Sequence, residues 1–193
     1  MKCHVKRTFL LIFSIIYLSY VPSYSSEGNQ IIDDFKDNPH MRWQFYTDQV
    51  MGGVSVGRAV IKLDSEGPYL RLEGSVSTAN NGGFIQVRTY VNNIPKSAQG
   101  IILKVRGNGE RYYMHLNTIE TISLPQQYRF YYQADFPTYK EWHEVRLPFS
   151  SAFKRSKSQM SKKINGNKIR TIGLLGYGKE HNALLEIKYL SFY

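Results

Sequence analysis

Short runs in which apolar and polar residues alternate recur along most of the chain, and they leave few architectures open. Leu70 and Leu72 alternate with Arg71 and Glu73, Ile85 and Val87 flank Gln86, and Ile101, Leu103 and Val105 enclose Ile102, Lys104 and Arg106. Tyr112, Met114 and Leu116 alternate with Tyr113 and His115, and Val145 with Leu147 and Leu185 with Ile187 repeat the pattern. Ala59, Ile61 and Leu63 make a further run, as do Tyr128, Phe130 and Tyr132. A period of two puts successive side chains on opposite faces, the signature of strands buried on one side. Turn residues separate the runs: Glu66-Gly67-Pro68, Asn165-Gly166, and Asn108-Gly109, whose pairing of residues tolerant of positive φ predicts a tight hairpin. About ten strands at this spacing predict an all-β chain, an antiparallel β-sandwich or jelly roll. The one segment expected to leave this pattern is Ser151 to Lys163, read as a basic loop or a helical connection of one or two turns.

The N-terminus follows a different rule. Lys2, Lys6 and Arg7 precede an almost wholly apolar run from Phe9 to Val21, then Pro22 and the small residues Ser23, Ser25 and Ser26. This is the layout of a secretory signal peptide, so residues 1–26 are expected to be a leader and 27–193 a single domain. The run is short against the ~20 residues of a spanning helix; the alternative is an uncleaved anchor. The sole cysteine, Cys3, lies in the leader. The mature chain therefore carries no disulfide or thiolate, which fits a periplasmic or secreted protein held together by its core. The whole chain has a formal net charge of +10, and loss of the three basic leader residues leaves about +7. Such a charge suits an acidic partner. Nucleic acid is not an expected partner for an exported chain.

Glycine packed beside short polar residues marks the candidate site. One cluster runs from Asp48 through Gly52, Gly53 and Ser55; a second is Asn80-Asn81-Gly82-Gly83, with Arg88 shortly after; a third, Arg106-Gly107-Asn108-Gly109, is followed by Arg111. Two readings stay open. In one, the glycines let two loops satisfy themselves at one end of the sandwich, with Asp48 accepting from backbone amides. In the other, Asp48, Gly52, Gly53, Ser55, Asn80, Asn81, Gly82 and Gly83 form a binding surface there, and Arg88, Arg106 or Arg111 faces an acidic group. Gly52 to Gly57 opens a strand rather than a helix, so it is not a dinucleotide loop. His40, His115, His143 and His181 lack metal-ligand spacing, and no serine sits in a nucleophile elbow. Neither metal nor cofactor is expected, and no enzyme activity. A glycosidase-like carboxylate pair would have to be assembled from distant residues such as Asp48 and Glu144. Tyr112, Tyr113, Tyr131, Tyr132 and Trp142 offer a sugar-stacking alternative. Only one tyrosine of each adjacent pair can face outward, and Trp142 is expected in the core.

Taken in order, several of these motifs resemble the complex I intermediate-associated protein 30 family. The resemblance opens at Asp33-Asp34-Phe35 with Trp43 and is most specific at Val50-Met51-Gly52-Gly53-x-Ser55-x-Gly57. It continues through Asn81-Gly82-Gly83-Phe84, Arg106-Gly107, Tyr112-Tyr113, Trp142 and Leu147-Pro148-Phe149 to Ile172-Gly173 and Leu185-Glu186-Ile187. It implies a galactose-binding-like jelly roll and a non-enzymatic role. The implied function is that of an assembly or scaffold factor for a membrane-associated complex, with a protein partner in or at the membrane. A carbohydrate-binding module of the cell envelope is the alternative. Asn108 stands where the family often has aspartate, and Leu184 where phenylalanine is common.

Overall fold

The computed structural model describes residues 29–37, 42–156 and 164–193. The expected leader (residues 1–26), His40, and the lysines at 157, 162 and 163 lie outside the described residues.

The architecture is a sandwich of two antiparallel sheets. The first contains β1 (Gln30–Asp33), β3 (Val56–Asp64), β4 (Gly67–Val76), β6 (Gly100–Gly107), β9 (His143–Pro148) and β12 (His181–Phe192). Its order is β3-β4-β12-β6-β9, with β1 added beside the end of β12. The second contains β2 (Gln44–Thr47), β5 (Phe84–Tyr90), β7 (Arg111–Thr118), β8 (Tyr132–Pro137), β10 (Lys154–Arg155) and β11 (Ile169–Tyr177), in the order β10-β8-β7-β11-β5-β2. The inward residues of the alternating runs meet between the sheets. Leu72, Leu103, Val105, Leu185 and Ile187 come from the first sheet, and Ile85, Val87, Tyr112, Met114, Leu116, Ile172 and Leu174 from the second, all fully buried. Burial of this apolar surface is the main stabilising term. At the edge, buried Asp33 binds the start of the chain to the body. It accepts hydrogen bonds from the Phe35 amide, the Arg42 guanidinium and Trp43 Nε1.

Four local expectations need correcting. The Asn108-Gly109 turn is not a hairpin, because β6 and β7 belong to different sheets. Asn108 Nδ2 instead donates to the Asn182 carbonyl, and its Oδ1 accepts from buried Tyr112 Oη, so the turn carries the chain from one layer to the other. The strand expected over Tyr128 to Tyr132 begins only at Tyr132; Tyr128 sits in a 3-10 turn and is exposed. Leu63, expected to face the core, is exposed at the end of the β3–β4 hairpin. The described part of the basic connection is a turn followed by the edge strand β10, whereas a helical turn, α1, forms at Ile119–Ile122. There Thr118 and Thr121 cap reciprocally, with the Thr118 amide donating to Thr121 Oγ1.

Candidate functional site

The two glycine clusters are one structure built around Asp48. Its carboxylate, fully buried, accepts from the amides of Ser55 (2.9 Å), Gly83 (2.6 Å) and Phe84 (3.2 Å) and from the Ser55 hydroxyl. Burial pushes this carboxyl upward, and the amides of Gly83, Ser55 and Phe84 with the Ser55 hydroxyl outweigh it and hold it below its ordinary value. In each Gly-Gly pair one glycine supplies conformation and the other space. Gly52 and Gly83 take positive φ, while a Cβ on Gly53 or Gly82 would collide with the Asp48 carboxyl. Asn80 and Asn81, both at positive φ, complete the second loop. Asp48, Ser55 and the glycines are thereby spent on one another. Glu144 lies exposed on the outer face of the first sheet, so the structure does not bring it to Asp48.

The three arginines expected beside these loops are spread over the molecule. Arg111 pairs with Asp135 on an exposed edge of the second sheet. Arg106 lies on the outer face of the first sheet, where Glu186 on the central strand β12 stands between Arg71 of β4 and Arg106 of β6. Glu186, 4% exposed, accepts from both guanidinium groups. Beside it Lys188 donates to Asp64 and to the Gly67 carbonyl. Trp142 covers this network rather than joining the core as expected. Its ring lies 4.3 Å from the Arg106 guanidinium and packs edge-on against Tyr69. Two cations beneath the ring give the indole a favourable site outside the sandwich.

Arg88 lies on the outer face of the second sheet, and that face is open. Residues directly opposite in an antiparallel pair share a face. The register therefore lines up Gln44, Arg88, Gly173, His115 and Gln133 across five strands. The side chains around this row, among them Arg88, His115, Thr171 and Tyr177, line a trough of about 540 Å³. Gln86 lies across Gly173, close enough that a Cβ there would strike its side-chain amide. His115 forms one wall, stacked on Tyr131 with ring centroids 4.0 Å apart, edge-on to Tyr177, and 2.8 Å from Gln133 Oε1 through Nε2. Burial pushes its imidazole down to about 4 against the Gln133 bond, and the Arg88 charge adds to the fall. Burial likewise pushes Tyr131 up to about 12, with Tyr177 adding to the rise. Both groups are neutral near pH 7. Asn117 and Thr171, hydrogen-bonded to each other, continue the floor. Met51 and Ile122 stand exposed at the rim. The outward-facing members of the tyrosine pairs, Tyr113 and Tyr131, are half-buried, while Tyr112 and Tyr132 are in the core. Of the residues singled out in the sequence, Arg88, His115 and Tyr131 meet in this trough. Gly173, Gln86, Asn117 and Tyr177 were missed. The signal that could have found them was Gly173 itself, since glycine inside a strand marks a place where something must approach the backbone.

Among the described residues no group of acidic, histidine or cysteine side chains could hold a metal ion. No helix among them is long and apolar enough to cross a membrane.

In fold, the chain is similar to the family 11 carbohydrate-binding module of the cellulosomal cellulase Lic26A-Cel5E from Clostridium thermocellum. The TM-score is 0.67 at 14% identity, over 86% of this chain and 94% of that one. The same module in complex with a β-1,3-1,4-mixed-linked tetrasaccharide gives 0.67 at 15% identity, over 86% and 95%. An agarase, AgWH50C, is similar at 0.56 and 9% identity, over 86% of this chain and 24% of the enzyme. These likenesses establish the β-sandwich fold. No curated protein matches the chain. Residues 33–187 match the family described as Complex I intermediate-associated protein 30, from the Asp33 anchor to the strand bearing Glu186. The chain belongs to the complex I intermediate-associated protein 30 family.

Proposed function

We propose that this protein is a non-enzymatic binding factor that holds a protein partner in or at a membrane during assembly of a larger complex, and that it does so through the trough on its second sheet. Family membership supports an assembly-type role. The observation that carries the choice of surface is the preformed trough beside the row Arg88–Gly173–His115, where the Gln86 amide lies over the glycine between Arg88 and His115. Concave sites with a few fixed polar groups among aromatic side chains are the usual binding sites of rigid scaffolds. The loops around Asp48 hold β2 and β5 in register beside the trough. The basic head and apolar run at residues 1–26 support export, and on this reading the partner lies at the outer side of the membrane. Affinity capture from the native membrane fraction tests this, with the full chain and its Gly173→Val variant as baits. A membrane protein retained by the first and lost from the second is expected. No reproducible partner, or one held equally by both, would remove the reading.

A second reading, a carbohydrate ligand, is favoured by the Tyr131 and Tyr177 rings beside the Gln86 and Asn117 amides. One of the structurally similar modules holds a tetrasaccharide. A glycan array decides it. A sugar binder gives a signal that Tyr177→Ala abolishes, and an unreactive array leaves the protein partner as the reading.

A further inference from the structure

We propose that the trough selects an acidic side chain of the protein partner, with its carboxylate received by Arg88 and its apolar neighbours resting on Met51 and Ile122. This rests on the trough being the binding surface and adds the chemistry of what enters it. Three observations carry it.

The first is the distribution of ion pairs. Arg42, Arg58, Arg71, Arg106 and Arg111 each have a carboxylate partner within the chain. The two arginines lining the trough, Arg88 and Arg129, have none among the described residues; elsewhere Arg146 lies over the Tyr193 ring and Arg170 donates to backbone carbonyls, likewise without a carboxylate among them. Arg129 Nε donates to the Leu124 carbonyl, and Arg88 donates from one terminal nitrogen to Gln86 Oε1. No aspartate or glutamate is among the described residues that line the trough, so Arg88 and Arg129 carry the formal charge of its lining.

The second is Arg88 Nε, which is buried and has no hydrogen-bond partner among the described residues. A charged donor withdrawn from water without an acceptor is costly, and an incoming carboxylate would recover that cost. The guanidinium is already held by Gln86 and by the Tyr46 ring, 5.2 Å from its centre, so little side-chain freedom is lost on binding.

The third observation separates a protein from an acidic glycan. The rim is formed by Met51, 67% exposed, and Ile122, 39% exposed, with Val50 and Ile119 exposed next to them. Flexible and branched aliphatic side chains around a polar centre match the side chains of a peptide, whereas hydroxyl-rich sugar rings would leave them uncovered.

The test pans a phage-displayed library of random short peptides against the folded full chain, against Arg88→Gln and against Arg88→Lys. Each variant's folding is confirmed by its melting transition. Wild-type panning is expected to enrich an aspartate or glutamate flanked by large apolar residues. Replacing that acid with its amide should weaken binding about tenfold, and the affinity should fall with added salt. Arg88→Gln should erase the difference between acid and amide, and Arg88→Lys should keep part of it. Peptides that bind acid and amide equally, yet are lost on Gly173→Val, would overturn the acidic selection and leave the trough as the binding surface. Peptides unaffected by Gly173→Val would overturn the trough itself. Arg88-dependent binding of oligogalacturonate with no peptide enriched would overturn the protein occupant in favour of an acidic glycan.

Discussion

The two outer faces of this sandwich are written in the same way and end in opposite states. On the first sheet the row across three strands is Arg71–Glu186–Arg106; on the second it is Arg88–Gly173–His115. A carboxylate on the central strand of the first row satisfies both neighbours, and Trp142 and Tyr69 then cover the network. In the second row the central strand contributes no side chain, the Gln86 amide lies over the glycine, and the surrounding side chains line an open trough. The residue at the middle strand thus separates a row closed by ion pairs from one that holds no carboxylate. The closed face is expected to govern stability, and the open face binding.

That division can be broken from either side. The largest effect is expected from Glu186→Ala, which leaves Arg71 with only Glu73 at 3.7 Å and Arg106 with only Asp64 at 3.9 Å. Removing one member of a buried ionic group costs about 4 kcal/mol, read as a drop in unfolding free energy in urea. Acid should act next, and on the open face. His115 has a folded-state value of about 4, below its unfolded value near 6.5. The unfolded chain therefore takes up the proton first as the pH falls. The contribution of neutral His115 is complete above about pH 6.5 and lost progressively towards pH 4, by about 3 kcal/mol in all. Denaturant titrations across this window should show that slope in the wild type and not in His115→Gln; equal slopes would mean that the trough wall hydrates without protonation. A smaller loss is expected for Trp142→Ala, about 1–2 kcal/mol from its cation–π contacts, measured as a lower thermal midpoint. The smallest belongs to Arg88→Gln, within about 0.5 kcal/mol of wild type, because Arg88 completes no ion pair in the folded chain. A large destabilisation there would show the open face to be structural and would erase the contrast.

Much of the fold was legible because strand periodicity is local. The Leu70/Leu72, Tyr112/Met114/Leu116 and Leu185/Ile187 runs enter the core as their alternation requires. The Asp48 reading was legible for a similar reason: glycine beside short polar residues points to a loop that bonds itself, and four donors converge on that carboxylate. Misreadings arose where a local signal has two tertiary outcomes. Asn108-Gly109 can close a hairpin or carry the chain between layers, and the choice lies with Asn182 and Tyr112, far away in sequence. Trp142 was placed by the strand it opens, which runs into Leu147-Pro148-Phe149, whereas Arg106 and Lys188 made a site for it outside the sandwich.

By itself the sequence determined the strand pattern and the family, and it marked the loops around Asp48 as self-contained in one of two open readings, since each depends on residues close together in the chain or on an ordered series of motifs. Only the tertiary structure decided which arginines are paired and which remain open. Arg88, Gly173 and His115 are brought side by side by strand order and register, and no spacing along the chain encodes which residues will share a row across a sheet.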